Sequence, residues 1–309
     1  MNFPKLPAKA AYITINNPAK RNTLSLAILR DLRQQLRDKL TSPRTGKLLT
    51  LPPFQPSILE KIEQGHPDYL WLTSAETWRE LRQDLPNVLV LRSDGPVFSS
   101  GHDLKEIVQL SHDDVKETFR LCAEVMELIR HSPAPVVCRI QSMALAAGFQ
   151  LAMTADYPIA LANTKFRLPG ASIGLPCTSP STAISRRLGN GLTYRMLATA
   201  DWMTAAEVNG QGTLDIVPVP TADSPDEANK ALEERVDHVV NRLAVETAGQ
   251  PLALGKWAYW TQVGMGGQGD GYVEAAQFAG RVMALHAKAE DAKEGMAAFI
   301  EKRDPVWKT

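Results

Sequence analysis

Apolar residues recur along the chain with two different periods, which predict strands alternating with helices. Residues 11–15 alternate between apolar and polar side chains and predict a first strand, whereas 24–40 carry leucines at helical spacing. Residues 87–92 and 135–140 are short apolar runs typical of buried parallel strands, and an amphipathic helix is predicted between them over 113–130. This order predicts an α/β core with a parallel sheet.

The last third of the chain has only the helical period. Helices are predicted over 227–248, 272–289 and 290–302. We therefore expect an α/β core at 1–226 and a helical C-terminal subdomain at 227–309.

Residues 41–87 interrupt both periods, and we interpret them as an insertion. Six prolines punctuate the segment, and one short helix is predicted near 74–82. Because the segment also contains Trp71 and Trp78, we expect it to be ordered and packed by one face. We expect it to lie outside the core. Its far end leads into the turn after the strand at 87–92, so we place it either near the entrance of a ligand site at that turn or at a subunit surface.

Charge and cysteine usage exclude several classes of protein. The 34 basic and 34 acidic residues cancel, which argues against nucleic acid or an anionic membrane surface as the main partner. Cys122, Cys138 and Cys177 are odd in number and lack metal-ligand spacing, so we expect neither a disulfide framework nor a metal site. No segment approaches the roughly 20 apolar residues of a membrane span. We expect an intracellular protein in a reducing compartment.

The N-terminus leaves the location within the cell open. No acidic residue precedes Asp31, and several basic ones do, as in an organellar transit peptide. The alternation at 11–15 favours a strand of the folded protein instead. A transit peptide removed upstream stays possible.

Two short motifs match well-known signatures in the wrong context. The glycine pattern at 264–269 fits a dinucleotide-binding fingerprint, but a predicted helix rather than a strand precedes it, so we expect a loop between helices. The segment from Gly170 through Ser172 to Gly174 fits the nucleophile elbow of a serine hydrolase. Pro176 and Pro180 interrupt the helix that an elbow needs. A hydrolase using Ser172 is therefore a remote alternative.

A third constellation is more specific and covers nearly the whole chain outside 41–87. It consists of residues 98–106, residues 140–152 about forty positions later, and then Gly174 and 187–189. This pattern resembles the crotonase, or enoyl-CoA hydratase/isomerase, superfamily, and residues 15–24 and 294–303 agree with it. Two further segments, 97–105 and 302–307, are similar to one particular group within the superfamily.

The resemblance implies a fold, an assembly and a ligand. The fold would be a crotonase-like spiral of ββα units with a helical C-terminal trimerisation region. The assembly would be a homotrimer or homohexamer, and the location mitochondrial, or cytoplasmic if no transit peptide was removed. The ligand would be an acyl-CoA thioester, with no other cofactor. Its carbonyl oxygen would accept hydrogen bonds from the backbone N–H groups of His102 and Ala147, because small-residue turns let the backbone approach a ligand closely.

The residues that differ from the superfamily pattern concern catalysis. Hydratases of this superfamily carry two catalytic glutamates, at the positions that Gln150 and Gly170 occupy here. A glutamine amide does not exchange a proton near neutral pH and glycine has no side chain, so standard hydration is not expected. Cys177 and Thr178, followed by Ser179, and the His102 side chain are tentative alternatives. A protein that binds acyl-CoA without catalysis is the competing hypothesis.

Coenzyme A has its own candidate residues by the same resemblance. They lie at the predicted turn over 16–22, after the strand at 87–92, and near the C-terminus: Lys20, Arg21, Leu24, Asp103, Leu104 and Lys302. Lysine and arginine side chains suit its phosphates, and backbone groups of Asp103 and Leu104 would contact the rest.

Overall fold

A computed structural model describes residues 3–173, 177–210, 212–220, 224–265 and 289–309. The strands are β1 (Ala10–Ile15), β2 (Val88–Ser93), β3 (Val136–Ile140), β4 (Met143–Leu145), β5 (Tyr157–Leu161), β6 (Lys165–Arg167), β7 (Met203–Thr204) and β8 (Asp215–Val217). The helices before residue 150 are α1 (Leu26–Leu40), α2 (Ile58–Glu63), α3 (Ala75–Arg82), α4 (Leu104–Gln109), α5 (His112–Arg130) and α6 (Ala147–Thr154). The later helices are α7 (Thr178–Leu188), α8 (Asn190–Thr199), α9 (Ala205–Val208), α10 (Pro225–Ala244), α11 (Gly249–Val263) and α12 (Glu290–Glu301).

Two sheets organise these elements. The larger has five parallel strands in the order β1-β2-β3-β5-β8. The smaller has the order β4-β6-β7, in which β4 and β6 are parallel and β7 is antiparallel to β6. The α/β class and the parallel pairing of the strands predicted at 87–92 and 135–140 are thereby confirmed.

The larger sheet is covered on both faces, which explains its continuous apolar strands. Successive side chains of a strand point to opposite faces. Leu89 and Leu91 pack with α1 and α5, whereas Val88 and Val90 pack beneath α10. Because α10 lies directly on the sheet, it helps to form the core. The division of the chain at residue 226 stays a prediction.

Residues 41–87 form an ordered excursion, as the sequence predicts. Their apolar side chains build a separate buried cluster with α11, in which Trp71 and Trp78 stack at 5.7 Å near the buried Trp257. The predicted helix near 74–82 is α3. The segment thus packs by one face, against a helix from the far end of the chain.

The remaining predictions of secondary structure divide into three groups. Most long helices begin and end within a few residues of the predicted positions, although the one expected at 227–248 ends at Ala244 and α11 follows. The helix predicted at 272–289 lies outside the described residues. Strands β4 to β8 were not predicted; the longest of them, β5, contains Pro158.

The described residues bear on two further expectations, which concern membrane-spanning helices and the three cysteines. None of the helices there is both long and apolar enough to cross a membrane. Cys122, Cys138 and Cys177 are all free and buried.

Candidate active site

The turn after β2 is shaped by Gly101. Its φ of +86° lies in the left-handed region, and a Cβ on this residue would stand 2.9 Å from the Leu145 carbonyl oxygen. Glycine is therefore required for both conformation and space. The turn is also fixed by Ser99, whose hydroxyl donates to the Asn22 carbonyl at 2.8 Å and accepts from the Gly101 N–H at 3.2 Å.

The start of α6 approaches this turn from the other side. Ala146 has φ +46° and ψ −120°, a conformation rare for a residue with a Cβ. Its N–H donates to the Arg167 carbonyl at 3.1 Å, and its carbonyl accepts from the Gln150 N–H at 2.9 Å. Two residues after Ala146, a Cβ on Gly148 would stand 2.6 Å from the Ser99 Cβ. The two turns are thus in direct contact.

This contact brings two backbone donors to one place. Among the described residues, neither the His102 N–H nor the Ala147 N–H has a recorded acceptor. Ala147 is the first residue of α6, where N–H groups have no partner within the helix. Both residues line the same cavity. Such a pair of preorganised donors can stabilise negative charge on a carbonyl oxygen.

The cavity beside these donors has a volume of about 430 Å³ and mostly apolar walls. Its lining residues come from the turn at 100–104, α5, the start of α6 and the region 169–180: Ser100, His102, Leu104, Phe119, Ala146, Ala147, Pro169, Gly170, Ile173, Cys177, Thr178, Ser179 and Pro180. None of these described lining residues is acidic, and none belongs to 41–87. The insertion therefore contributes no described residue to the cavity wall, and its expected place near the ligand entrance or at a subunit surface stays a prediction.

The His102 side chain is held in one tautomer. Its Nδ1 lies 3.1 Å from the Leu24 carbonyl oxygen, which can only accept, so Nδ1 carries the proton. The ring meets Phe119 edge-on at 5.1 Å. Burial lowers the pKa of His102 despite the opposing effect of the Leu24 hydrogen bond. A neutral imidazole therefore leaves Nε2 as an acceptor at neutral pH.

Gly170 and Cys177 also line this cavity. Gly170 is buried and has no side chain, so it offers only backbone to the cavity. Burial raises the pKa of Cys177, and a hydrogen bond from the Gly170 backbone opposes it. The thiol is therefore protonated at neutral pH, unlike an activated nucleophile. Thr178, the first residue of α7, is exposed at the rim.

Gln150 is a buried residue beside the cavity of the two donors. It is 5% exposed and accepts a hydrogen bond from the Ser179 hydroxyl at 3.3 Å. Ser179 lines the cavity of the two donors, whereas Gln150 lines a neighbouring one. The amide therefore lies between two cavities.

The first turn of the chain lies against the donor loop. The Leu24 N–H donates to the Gly101 carbonyl at 2.8 Å, and the Arg21 carbonyl accepts from the Ser100 N–H at 3.1 Å. Lys20 Nζ lies 2.9 Å from Asp103 Oδ2, and this hydrogen bond raises the pKa of Lys20 and lowers that of Asp103. The structure thus brings Lys20, Arg21 and Leu24 to the donor loop.

The other two candidate residues for coenzyme A lie in different places. Leu104 is 44% exposed at the cavity edge. Lys302 follows α12 with φ +56°, is exposed, and is not among the described lining residues. Within one chain, Lys302 therefore does not line the cavity of the two donors.

Sequence reasoning missed Asn22 and Ser99, which fix the donor loop. Asn22 is fully buried with φ +54°, and its Nδ2 donates to the Val97 carbonyl at 2.8 Å. Asparagine tolerates the left-handed region, so the turn at 16–22 carried a signal for this conformation. No pattern in the sequence pointed to a hydrogen bond with residues so far along the chain.

The two misleading motifs have simple structural explanations. The exposed Ser172 hydroxyl donates to the Pro169 carbonyl at 2.7 Å within a 3₁₀ turn, Pro169–Ile173, and the next helix, α7, begins only at Thr178, so Ser172 does not open a helix as an elbow serine does. A triad would also need an acid and a histidine downstream of Ser172, such as Asp215 and His238, but Asp215 pairs with Arg235 at 2.7 Å and His238 is exposed on α10. A hydrolase triad is therefore not assembled among the described residues. The glycine motif begins directly after α11, and residues 266–269 lie outside the described residues.

A parallel sheet with a small second sheet and two facing backbone donors defines a crotonase-type protein. The family model for Enoyl-CoA hydratase/isomerase matches residues 74–249. Mitochondrial enoyl-CoA hydratase domain-containing protein 3 of Rattus norvegicus is 31% identical over 297 residues, which are 96% of this chain and 80% of the relative. The Homo sapiens protein of that name is also 31% identical, over 96% of this chain and 79% of its own.

Solved structures agree with the sequence relatives. The crystal structure of human enoyl coenzyme A hydratase domain-containing protein 3 has a TM-score of 0.71 at 30% identity and covers 98% of both chains. An enoyl-CoA hydratase of Mycobacterium smegmatis has a TM-score of 0.72 at 27% identity, over 96% of this chain and 95% of its own. The chain belongs to the enoyl-CoA hydratase/isomerase family. The crotonase-like fold and the resemblance to the domain-containing protein 3 group are confirmed.

Proposed function

We propose that this protein binds an acyl-CoA thioester whose carbonyl oxygen accepts hydrogen bonds from the His102 and Ala147 N–H groups. The pair of unengaged donors beside one apolar cavity carries this proposal. Charge that develops on the oxygen in an enolate-like intermediate is stabilised by such donors, and the N-terminus of α6 adds a favourable dipole. Leu104, Phe119 and Ile173 supply an apolar surface for the acyl group or the pantetheine arm.

Coenzyme A would extend from the cavity toward the first turn. The Arg21 guanidinium is exposed and has no recorded partner among the described residues, so it is available to a phosphate. Lys20 would bind a phosphate only by sharing its interaction with Asp103. The acyl-CoA is the ligand itself, and we propose no further cofactor.

The chemistry of the site departs from standard hydration. Hydration needs groups that deliver water and a proton, and each general acid or base typically contributes about 10²–10⁴-fold. The described cavity walls contain no carboxylate, and the titratable side chains there are the neutral His102 and the protonated Cys177. We infer atypical or weak activity that relies on stabilisation of the carbonyl oxygen.

Binding without catalysis is the second candidate function. The position of Gln150 supports it, since this amide is hydrogen-bonded to Ser179 and does not line the donor cavity. We further propose that the protein forms a homotrimer or homohexamer, as its resemblance to the family implies. We also propose a mitochondrial location, because the relatives named above carry that location in their names.

Two measurements test the proposal. Titration calorimetry with octanoyl-CoA should give saturable one-to-one binding per chain, and crotonyl-CoA should lose its enoyl absorbance very slowly or not at all. The double variant Gln150→Glu, Gly170→Glu should accelerate that loss if the binding frame is intact. Rapid hydration by the unmodified protein would contradict the proposed chemistry, and absent binding of any acyl-CoA would contradict the ligand.

A further inference from the structure

A second cavity of about 290 Å³ lies beyond Gln150, between α5, α6, α7 and α11. Its lining combines apolar and cationic side chains: Met126, Glu127, Arg130, His131, Gln150, Met153, Thr154, Thr182, Ala183, Arg186, Arg187 and Trp260. Three arginines face one carboxylate, Glu127, among these described residues. The cavity therefore has an excess of positive charge.

Arg130 is the unusual member of this group. Its guanidinium carbon lies 4.3 Å from the centre of the Trp260 ring and 5.2 Å from that of Phe54. No hydrogen bond or ion pair of this guanidinium is recorded among the described residues. Burial and repulsion by Arg186 lower its pKa, although Asp156 opposes them. Two aromatic rings thus hold a guanidinium whose five N–H donors have no acceptor in the part of the chain that the structure describes.

The neighbouring charges do not neutralise Arg130. Asp156 pairs with Lys256 at 2.6 Å. Arg187 donates to three backbone carbonyls, of which Met153 is 2.6 Å away, and so supports the loop after α6. Arg186 donates once, to the Thr182 carbonyl at 2.7 Å, and keeps other donors for a ligand. Arg130 and Arg186 together offer a binding site for an anion.

Two helices line both the donor cavity, which lies beside the His102 and Ala147 N–H groups, and this cationic cavity. Helix α6 begins at the donor Ala147 and ends at Thr154 in the second cavity, and α7 runs from Thr178 in the first cavity to Arg186 in the second. At 1.5 Å per residue, the seven residues from Ser179 to Arg186 correspond to roughly 10 Å. An acyl chain of medium length covers such a distance.

We propose that Arg130 and Arg186 bind the distal carboxylate of a dicarboxylic acyl-CoA whose thioester occupies the donor cavity. This inference rests on the proposed function and narrows its substrate class. A guanidinium fits a carboxylate with two parallel hydrogen bonds, and its aromatic neighbours hold it in place before the ligand arrives. Gln150, which lies between the cavities, would flank the acyl chain, and Met126 and Met153 would contact its methylenes.

The test compares matched ligands by titration calorimetry on the full chain. Suberyl-CoA and octanoyl-CoA have the same chain length and differ in the distal carboxylate. Suberyl-CoA should bind about 10- to 100-fold more tightly, as expected for charge-assisted hydrogen bonds. Arg130→Met should reduce this ratio to near one. Arg242→Met is the matched control, because Arg242 also lies in the last turn of a long helix but is exposed on α10; it should keep the ratio.

Other outcomes separate this inference from the proposed function. Equal affinities for the two thioesters, with no effect of Arg130→Met on their ratio, would overturn the inference and leave the proposed function intact. Failure of both thioesters to bind would contradict the proposed function, and binding of free suberate alone would overturn the assignment to an acyl chain. If Arg130→Met does not fold, Arg130→Lys keeps the charge without the planar fork and should give a smaller loss of the ratio.

Discussion

The donor cavity and the cationic cavity are both lined by α6 and α7. They differ in the source of their polar groups. In the first, the proposed binding groups are the backbone N–H groups of His102 and Ala147, and the side chains around them are mostly apolar. In the second, the binding groups are guanidinium side chains on α5 and α7. A backbone site depends on how closely two turns approach, whereas a side-chain site depends on which residues protrude. The two cavities should therefore respond to different kinds of substitution.

The largest expected effect follows from removing one backbone donor. Ala147→Pro deletes the N–H but keeps the first position of a helix, which proline tolerates. Loss of one such donor typically costs about 10²–10³-fold in catalysis, and octanoyl-CoA should bind more weakly because its carbonyl oxygen loses a hydrogen bond. Calorimetry measures the affinity and circular dichroism checks the fold. Unchanged affinity in a folded variant would exclude Ala147 as a donor.

A smaller effect is expected where the two turns touch. Gly148→Ala places a Cβ 2.6 Å from the Ser99 Cβ, so the turns must separate. Overpacking of this kind costs about 1–3 kcal/mol in the free energy of unfolding, and the donor spacing should widen. Gly255→Ala in α11 is the control, because its Cβ meets no atom within 4 Å. Thermal denaturation and acyl-CoA titration should both distinguish the variants; equal behaviour would argue against a close contact.

The smallest effect concerns the pH dependence of His102. Its folded-state pKa lies below the ordinary value of 6.5 because of burial, so the unfolded chain binds more protons at mildly acidic pH. The stability contributed by the neutral ring is present above pH 6.5 and is lost as the pH falls below it. His102→Gln should show a weaker loss of stability over this range in urea titrations at several pH values. Parallel curves for the two proteins would show that the ring is not protected from protonation.

Much of the core was predictable because its local pattern agrees with its environment. The runs at 87–92 and 135–140 are apolar on every position since both faces of the sheet are covered, and α1 and α5 carry one apolar face each. Strands β4, β6 and β8 have three residues each, too few to show a period. They form only where a neighbouring strand already offers hydrogen bonds.

Charged residues inside the sheet were also beyond local reasoning. Arg92 of β2 is almost fully buried, and it pairs at 2.7 Å with Glu233 of α10. Arg139 of β3 reaches the same carboxylate at 2.8 Å. A buried charge is tolerated when it is paired, and its partner here lies about ninety or more positions along the chain. The sequence offers no signal for such a pairing.

The sequence by itself determined the family, the alternation of strands and helices, and the two small-residue turns that carry the backbone donors. These features are local, since glycine conformation, helix period and strand period involve residues a few positions apart. Only the tertiary structure decided that the Gln150 amide lies between the two cavities, that Lys302 lies apart from the donor cavity, and that the Arg130 guanidinium stacks on Phe54 and Trp260. Those arrangements depend on which distant surfaces pack together, and packing is set by the whole core rather than by any short segment.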